Sequence, residues 1–158
     1  MIAGSSPTLT WRPNPDGQAR TIEEAIEVAK QNGVRIPADI AFFVDEFADL
    51  GPNITARGPN VTKPTGGQVV WSDLVHDRTG KVPFLIRPDI PRSDEAIVAV
   101  IAHEVHEIQE FRKVVGRRGW ITIEEFIAHH APDNPGNLHD EAWDLADALV
   151  RRMRGESP

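Results

Sequence analysis

The stretch "AIVAVIAHEVHEIQEF", residues 96–111, decides the fold because its apolar residues recur on nearly every side of a helix. Successive helical positions advance by about 100°. One side carries Ile97, Ile101, Val105 and Ile108, with Val115 further on. The opposite side starts with small apolar residues and continues with His103, His106, Glu107 and Glu110. The pattern predicts a helix over 94–115, begun by Ser93 or Asp94, ended at Gly116 and buried on both faces.

The polar letters in this buried stretch predict a metal site. Burying a histidine and carboxylates is costly unless they are paired or bind an ion. His103 and Glu107 are one turn apart and can chelate one metal ion. Glu104 has the offset of the general base in the HExxH motif, and Glu107 replaces the second histidine with another accepted zinc ligand. His106 is a further second-shell or alternative ligand; the competing interpretation is a solvated charged face.

A third ligand is predicted in "NLHDEAWDLAD", residues 137–147, at the start of the last predicted helix. His139 lies beside the apolar stripe of that helix and would complete a His–Glu–His set. Asp140 and Asp147 are candidates for orienting a ligating histidine or for alternative ligation. The competing interpretation gives these residues ordinary roles at a helix N-terminus. The expected ion is Zn²⁺, with Mn²⁺ or Fe²⁺ as alternatives.

The remaining patterns predict an α+β fold, a mainly helical single domain with a small β-hairpin or sheet packed on the buried metal-site helix. The domain is expected over 20–158, after an extended segment over 1–19. Thr21 and Glu24 form a capping box for a helix over 20–33. Further helices are expected over 37–51, 122–130 and 138–155. A hairpin is expected from 68–75 and 81–90, with Pro83 on an edge strand.

Composition limits the function classes. The chain has no cysteine, so a metal must be held by His, Asp or Glu. The formal net charge of −7, without a basic stripe, argues against nucleic-acid binding. No apolar run is long enough for a membrane span, and the first twenty residues lack the order of a signal peptide.

The segments "IVAVIAHEVHEIQEF" and "PGNLHDEAWDLADALV" together resemble the C-terminal toxin domains of bacterial polymorphic, Rhs-like toxins. The opening "RTIEEAIEVAKQNGVRIPADI" agrees with that likeness. His103 and Glu104 are also similar to the start of the zincin metallopeptidase motif, here in the form HExxE. The resemblance implies a secreted effector, released from a larger carrier polypeptide, delivered from the producing bacterium into a target cell and neutralised by a cognate immunity protein.

The favoured hypothesis is therefore a metal-dependent hydrolase toxin domain, peptidase-like, acting on a protein or peptide. His103, Glu107 and His139 would hold the ion, and Glu104 would be the catalytic base. The strand at 81–88 could pair with an extended substrate, although Pro83 would interrupt that pairing. The alternatives are a metal-dependent nuclease or phosphoesterase and a non-enzymatic acidic interaction module, such as an immunity or adaptor protein.

Overall fold

The computed structural model describes residues 9–44, 67–69, 82–115 and 138–156. This part of the chain is mainly helical, as predicted, and also contains three short strands. In chain order the elements are α1 (Ile22–Gln31), β1 (Ile40–Val44), β2 (Gly67–Val69), β3 (Val82–Ile86), a 3₁₀ turn (Ile90–Arg92), α2 (Asp94–Val115) and α3 (Leu138–Met153). The helix predicted at 122–130 lies outside the described residues.

Helix α2 is the centre of the fold and has the predicted bounds, Asp94–Val115. Its predicted stripe is buried at Ile97, Ile101, Val105 and Ile108. The opposite side is buried as well, with Ala99 fully inaccessible and Val100 2% exposed. The prediction of burial on both faces is therefore confirmed over these residues. Helices α1 and α3, strand β2 and the 3₁₀ turn all contact α2.

Helix α1 begins and ends as its sequence predicts. The Thr21 hydroxyl accepts a hydrogen bond from the Glu24 backbone N–H at 3.1 Å, and the Glu24 carboxylate accepts one from the Thr21 N–H at 3.0 Å. The backbone hydrogen bond from Thr21 holds the pKa of Glu24 below its usual range. After the last turn, Gly33 takes a φ of 93°, which a residue with a Cβ rarely adopts. Ala25 and Ala29 bury one face of α1 in the core.

The helix predicted over 37–51 is wrong where the chain is described, because Ile40–Val44 forms strand β1. The segment "IAFFV" is rich in β-branched and aromatic residues, which favour strands. It pairs in parallel with β3, with Ile40 opposite Val82 and Val44 opposite Ile86. That pairing partner is about forty residues away in sequence, and local helical spacing does not reveal it.

Strand β3 lies in the middle of the sheet order β1-β3-β2. Strand β2 runs antiparallel to it, as the two sides of the predicted hairpin should, with Gly67 opposite Ile86; the connecting residues 70–81 are not described. Strand β3, which contains Pro83, is therefore the central strand, and the prediction that Pro83 lies on an edge strand is wrong. The described residues of β2 pair with Phe84, Leu85 and Ile86 of β3, so the described ladder does not include Pro83. From Phe84 to Ile86, where the described strands β1 and β2 pair with it on both sides, β3 does not offer the free edge that substrate pairing requires.

Helix α3 packs antiparallel to α2. Three pairs of residues show this direction. Glu95, His103 and His106 follow one another along α2. Their respective partners, Arg154, Trp143 and Glu141, come in the reverse order along the chain. Ala142, Ala146 and Val150 of α3 are fully buried in this interface. Leu145, which the sequence pattern places inward, is 41% exposed. Gly155, with a φ of 75°, follows the helix at the predicted stop.

A charged clasp joins α2 to the residues that follow α3. Arg154 donates from Nε to Glu95 Oε2 at 2.8 Å and from Nη2 to Glu95 Oε1 at 2.7 Å. Both side chains are almost buried, 11% exposed for Arg154 and 12% for Glu95. The hydrogen bond from Arg154 holds the pKa of Glu95 below its usual range. A planar two-point contact of this kind fixes the helix ends in both distance and orientation.

The segment before α1 is fastened to the same end of α2. The Arg12 backbone N–H donates to Glu95 at 2.7 Å, and the Ser93 hydroxyl donates to the Arg12 carbonyl at 2.6 Å. Asn14, 5% exposed, accepts from the Asp94 N–H at 2.8 Å. Leu9 and Trp11 pack against the α2–α3 interface. Residues 9–20 therefore complete the packing around α2 without forming a helix or strand.

Replacing Ile101 by alanine should lower the free energy of unfolding by about 2–5 kcal/mol, because a fully buried side chain at the centre of the core leaves a cavity. Urea denaturation followed by circular dichroism measures this. The matched control is Leu145→Ala, where an exposed leucine on a helix is shortened and a change within about 0.5 kcal/mol is expected. Equal losses in the two variants would contradict the position of α2 at the centre of the core.

Replacing Glu95 by glutamine should destabilise the protein in a pH-dependent way. The folded-state pKa of Glu95 is lowered, so its ionised form contributes stability above the unfolded-state pKa of about 4.3. That contribution disappears as the pH falls through the folded-state pKa. The gap in unfolding free energy between the two proteins should be largest near pH 7 and narrow steadily below about pH 4.

The control for this change is Asp144→Asn, which alters the net charge equally at an exposed position of α3. Its stability difference should stay within about 0.5 kcal/mol, because a change at an exposed surface position away from a cap or a network has little effect. If the difference in unfolding free energy between Glu95→Gln and the unchanged protein stayed at its full size down to about pH 2.5, the clasp would not be ionic.

Candidate metal centre

Three side chains of α2 form the only group among the described residues with the spacing of a metal site. His103, Glu104 and Glu107 each offer a ligand atom, and these atoms all lie within 4.8 Å of one another. The side chains are buried, since the residues are 2%, 7% and 8% exposed. The structure therefore brings together the predicted ligands His103 and Glu107 and the predicted base Glu104.

The distance between His103 and Glu107 suits a shared ion. His103 Nε2 lies 3.4 Å from Glu107 Oε1. A charge-assisted hydrogen bond between such groups is shorter, about 2.7–2.9 Å. Two atoms that each lie about 2.1 Å from a tetrahedral ion are separated by about 3.4 Å. The two side chains are thus already spaced as neighbouring ligands of one ion, one helical turn apart.

The position of Glu104 allows two roles. As the residue after His103 it is turned by about 100° around the helix axis, yet its carboxylate reaches the same group. At a separation within 4.8 Å of the other two ligand atoms, the Glu104 carboxylate is close enough to bind an ion directly or to hydrogen-bond a water molecule on that ion. Glu104 can therefore act on that water as a base or turn to bind the ion itself.

His106 is not a member of this group. Its Nε2 lies 2.8 Å from Glu141 Oε1, so it contacts α3 at a partly buried position of the interface. The prediction that it is an alternative ligand receives no support from this geometry. His106 instead links α2 to α3 beside the candidate metal site, because it immediately precedes Glu107 in the chain.

Helix α3 supplies an aromatic stacking partner for His103. The rings of His103 and Trp143 are stacked, with centroids 3.9 Å apart and planes at 30°. Trp143 is 8% exposed. Helical spacing alone places both rings inward, but it does not show which rings meet, and the Glu141 contact has no sequence signal either.

The antiparallel packing also locates the predicted third ligand. Glu107 follows His103 by one helical turn on α2, and His139 precedes Trp143 by one turn on α3. Because the helices are antiparallel, position 139 lies at about the level of Glu107. The placement of the backbone is compatible with ligation, and the ligand role of His139 stays a prediction because its side chain is outside the described set.

The two aspartates predicted to assist the site lie on α3 but outside the metal group. Asp147 is 7% exposed and lies one turn beyond Trp143, at the level of Ala99. Asp140 is partly buried and adjoins position 139. Both stay predictions as orienting residues, with Asp140 the nearer of the two to the level of Glu107.

The chemistry of these three side chains fits a cation. Two ionised carboxylates this close repel each other, and the repulsion is stronger in a buried setting than in water. A divalent ion between them would offset that repulsion and accept the imidazole nitrogen as a third donor. Nitrogen and carboxylate donors suit Zn²⁺, Mn²⁺ and Fe²⁺ alike, so the donor set does not select among them.

Comparisons of the chain with protein-family models, with curated proteins and with solved structures find no match. Among the described residues, no helix combines the length and the apolar character that crossing a bilayer requires.

The purified protein should contain about one equivalent of a transition metal, and His103→Ala and Glu107→Ala should each lose most of it, since each removes a neighbouring ligand of a chelate. Mass spectrometry of protein prepared with and without added zinc, manganese and iron measures this. His106→Ala is the control on the same helix and should keep its metal. His139→Ala tests the third ligand directly.

Metal retained by both His103→Ala and Glu107→Ala would contradict the assignment of this group. No metal in the unchanged protein, under all three additions, would favour the acidic interaction module instead.

Proposed function

We propose that this protein is a metal-dependent hydrolase domain with peptidase-like chemistry. The observation that carries the proposal is the buried group of His103, Glu104 and Glu107, whose ligand atoms lie within 4.8 Å of one another. The proposed architecture is an α+β domain in which the small sheet packs on the metal-site helix. The ion is proposed to be Zn²⁺, held by His103, Glu107 and His139.

The bound ion would polarise a substrate carbonyl and make water more acidic. Glu104 would take a proton from the attacking water as its oxygen adds to the carbonyl carbon. The same carboxylic acid would then give that proton to the leaving amine nitrogen as the carbon–nitrogen bond breaks. Glu104 returns to its ionised form, so one water is consumed for each bond cleaved.

The cellular role that we propose is that of a toxin effector, on the strength of the sequence likeness to polymorphic toxin domains. In that role the domain is released from a carrier polypeptide and enters a neighbouring cell. A cognate immunity protein would neutralise it in the producer. The net charge of −7 makes a protein or peptide a better substrate than a nucleic acid, whose phosphates an acidic surface repels.

A phosphoesterase is the second candidate, and one observation favours it. Two of the three grouped side chains are carboxylates, and oxygen-rich sites suit Mg²⁺ and Mn²⁺, the ions that commonly serve phosphoryl substrates. The two candidates share the metal group and differ in substrate, so one assay can separate them.

Replacing Glu104 by glutamine should lower kcat by about 100-fold or more while the metal content stays near that of the unchanged protein, because a general base is lost and the ligands remain. The assay uses quenched fluorescent peptides and a chromogenic phosphodiester in parallel, each with zinc, manganese and magnesium. Cleavage of the peptides alone supports the peptidase. Cleavage of the phosphodiester alone supports the second candidate.

Glu110→Gln is the control, since it makes the same chemical change further along α2, at the partly exposed carboxylate that pairs with Lys113. It should retain full activity. Full activity in Glu104→Gln would remove Glu104 from the base role, and a loss of metal in that variant would make it a ligand. Expression in bacteria provides the cellular arm: the unchanged domain should stop growth, and Glu104→Gln should not.

A further inference from the structure

The stacked pair of His103 and Trp143 is the contact that joins the metal group to the second helix. The ring centroids are 3.9 Å apart with planes at 30°. His103 is 2% exposed and Trp143 is 8% exposed. The indole therefore covers one face of the imidazole in a site from which water is largely excluded.

This stack restricts the direction in which the imidazole nitrogen points. His103 Nε2 is directed toward Glu107, at 3.4 Å from Oε1. Turning the imidazole about its bond to Cβ would move Nε2 away from Glu107 and press the ring edge into the indole. Dense packing opposes such a turn, so the stacked orientation is also the orientation needed for ligation.

The indole is itself held in place. Trp11, in the segment before α1, lies against it with ring centroids 6.2 Å apart and planes at 36°. Ala99, Ala146 and Val150 form a buried cluster around it, each with no exposed surface. Trp143 therefore presents a fixed face to His103, supported from behind by a different part of the chain.

Electrostatics adds a preference for the ion-bound state. The face of an indole carries a negative quadrupole and attracts electron-poor rings and cations. An imidazole becomes electron-poor when its nitrogen donates to a metal ion. The stack is thus stronger when His103 is a ligand than when its ring is neutral and free, and this difference raises metal affinity by linkage.

We propose that Trp143 is a positioning residue of the metal centre, which orients His103 and favours its metal-bound form. This inference rests on the proposed function, since it requires that the group bind an ion. It predicts that the indole contributes to metal affinity beyond its contribution to packing.

The test compares Trp143→Leu, Trp143→Phe and Trp11→Phe by calorimetric titration with Zn²⁺, beside unfolding of the metal-free proteins. Trp143→Leu keeps an apolar side chain but has no aromatic face, and its Kd should rise by about 10-fold or more, as for other residues that support a metal ligand. Trp143→Phe retains an aromatic face and should stay within about 3-fold of the unchanged protein. Trp11→Phe alters the supporting ring and should leave Kd unchanged.

A spectroscopic measurement separates positioning from packing. Bound Co²⁺ absorbs visible light in bands that report the arrangement of its ligands, so the bands should change in Trp143→Leu and stay as in the unchanged protein in Trp143→Phe and Trp11→Phe. A folded Trp143→Leu with unchanged bands and unchanged Kd would overturn the proposal. If Trp143→Leu does not fold, Trp143→Phe decides instead, because a folded Trp143→Phe whose Kd rises by about 10-fold or more would overturn it.

The outcomes also separate this proposal from the proposed function. If the unchanged protein binds neither Zn²⁺ nor Co²⁺, the metal centre itself fails, and the role of Trp143 fails with it. If metal binds and His103→Ala abolishes binding while the Trp143 variants bind normally, the metal centre stands and only the positioning role is overturned.

Discussion

The burial of α2 on nearly all sides is the constraint on which the rest of the structure depends. A 22-residue helix with apolar residues around most of its circumference gains stability only if neighbours cover each side. Helix α1, helix α3, strand β2 and the 3₁₀ turn provide that cover. The polar group at 103–107 is buried because it continues the same helix into the same surroundings. The packing that buries the core therefore also buries the candidate metal site.

The local part of the fold could be predicted from the sequence. The bounds of α2 follow from an unbroken helical pattern, and those of α1 from the capping box at Thr21 and Glu24 and the glycine at position 33. These signals lie within a few residues of the structure they determine. Burial of both faces of α2 was equally predictable, because the apolar letters before His103 leave no polar side to face water.

The non-local part could not be predicted in the same way. Strand β1 depends on parallel pairing with β3, and Pro83 is placed by the order of strands rather than by its own preference. In the candidate site, the distance between His103 and Glu107 is determined by the geometry of a single helix. The stacking of Trp143 on His103 and the contact of Glu141 with His106 depend instead on how α3 packs against α2. The Glu95–Arg154 clasp fixes part of that packing. A sequence pattern gives the face of a helix but not its partner.

The closeness in sequence of the three grouped side chains has a consequence for the order of assembly. Residues 103, 104 and 107 belong to adjoining turns of one helix, so gathering them requires no closure of a long loop. If the proposed metal site exists, α2 could bind an ion before α3 is formed, and Trp143 would then pack over His103 when that histidine is already a ligand. Because such a helix could also bind metal outside the native state, a bound ion would stabilise the fold less than its affinity alone implies.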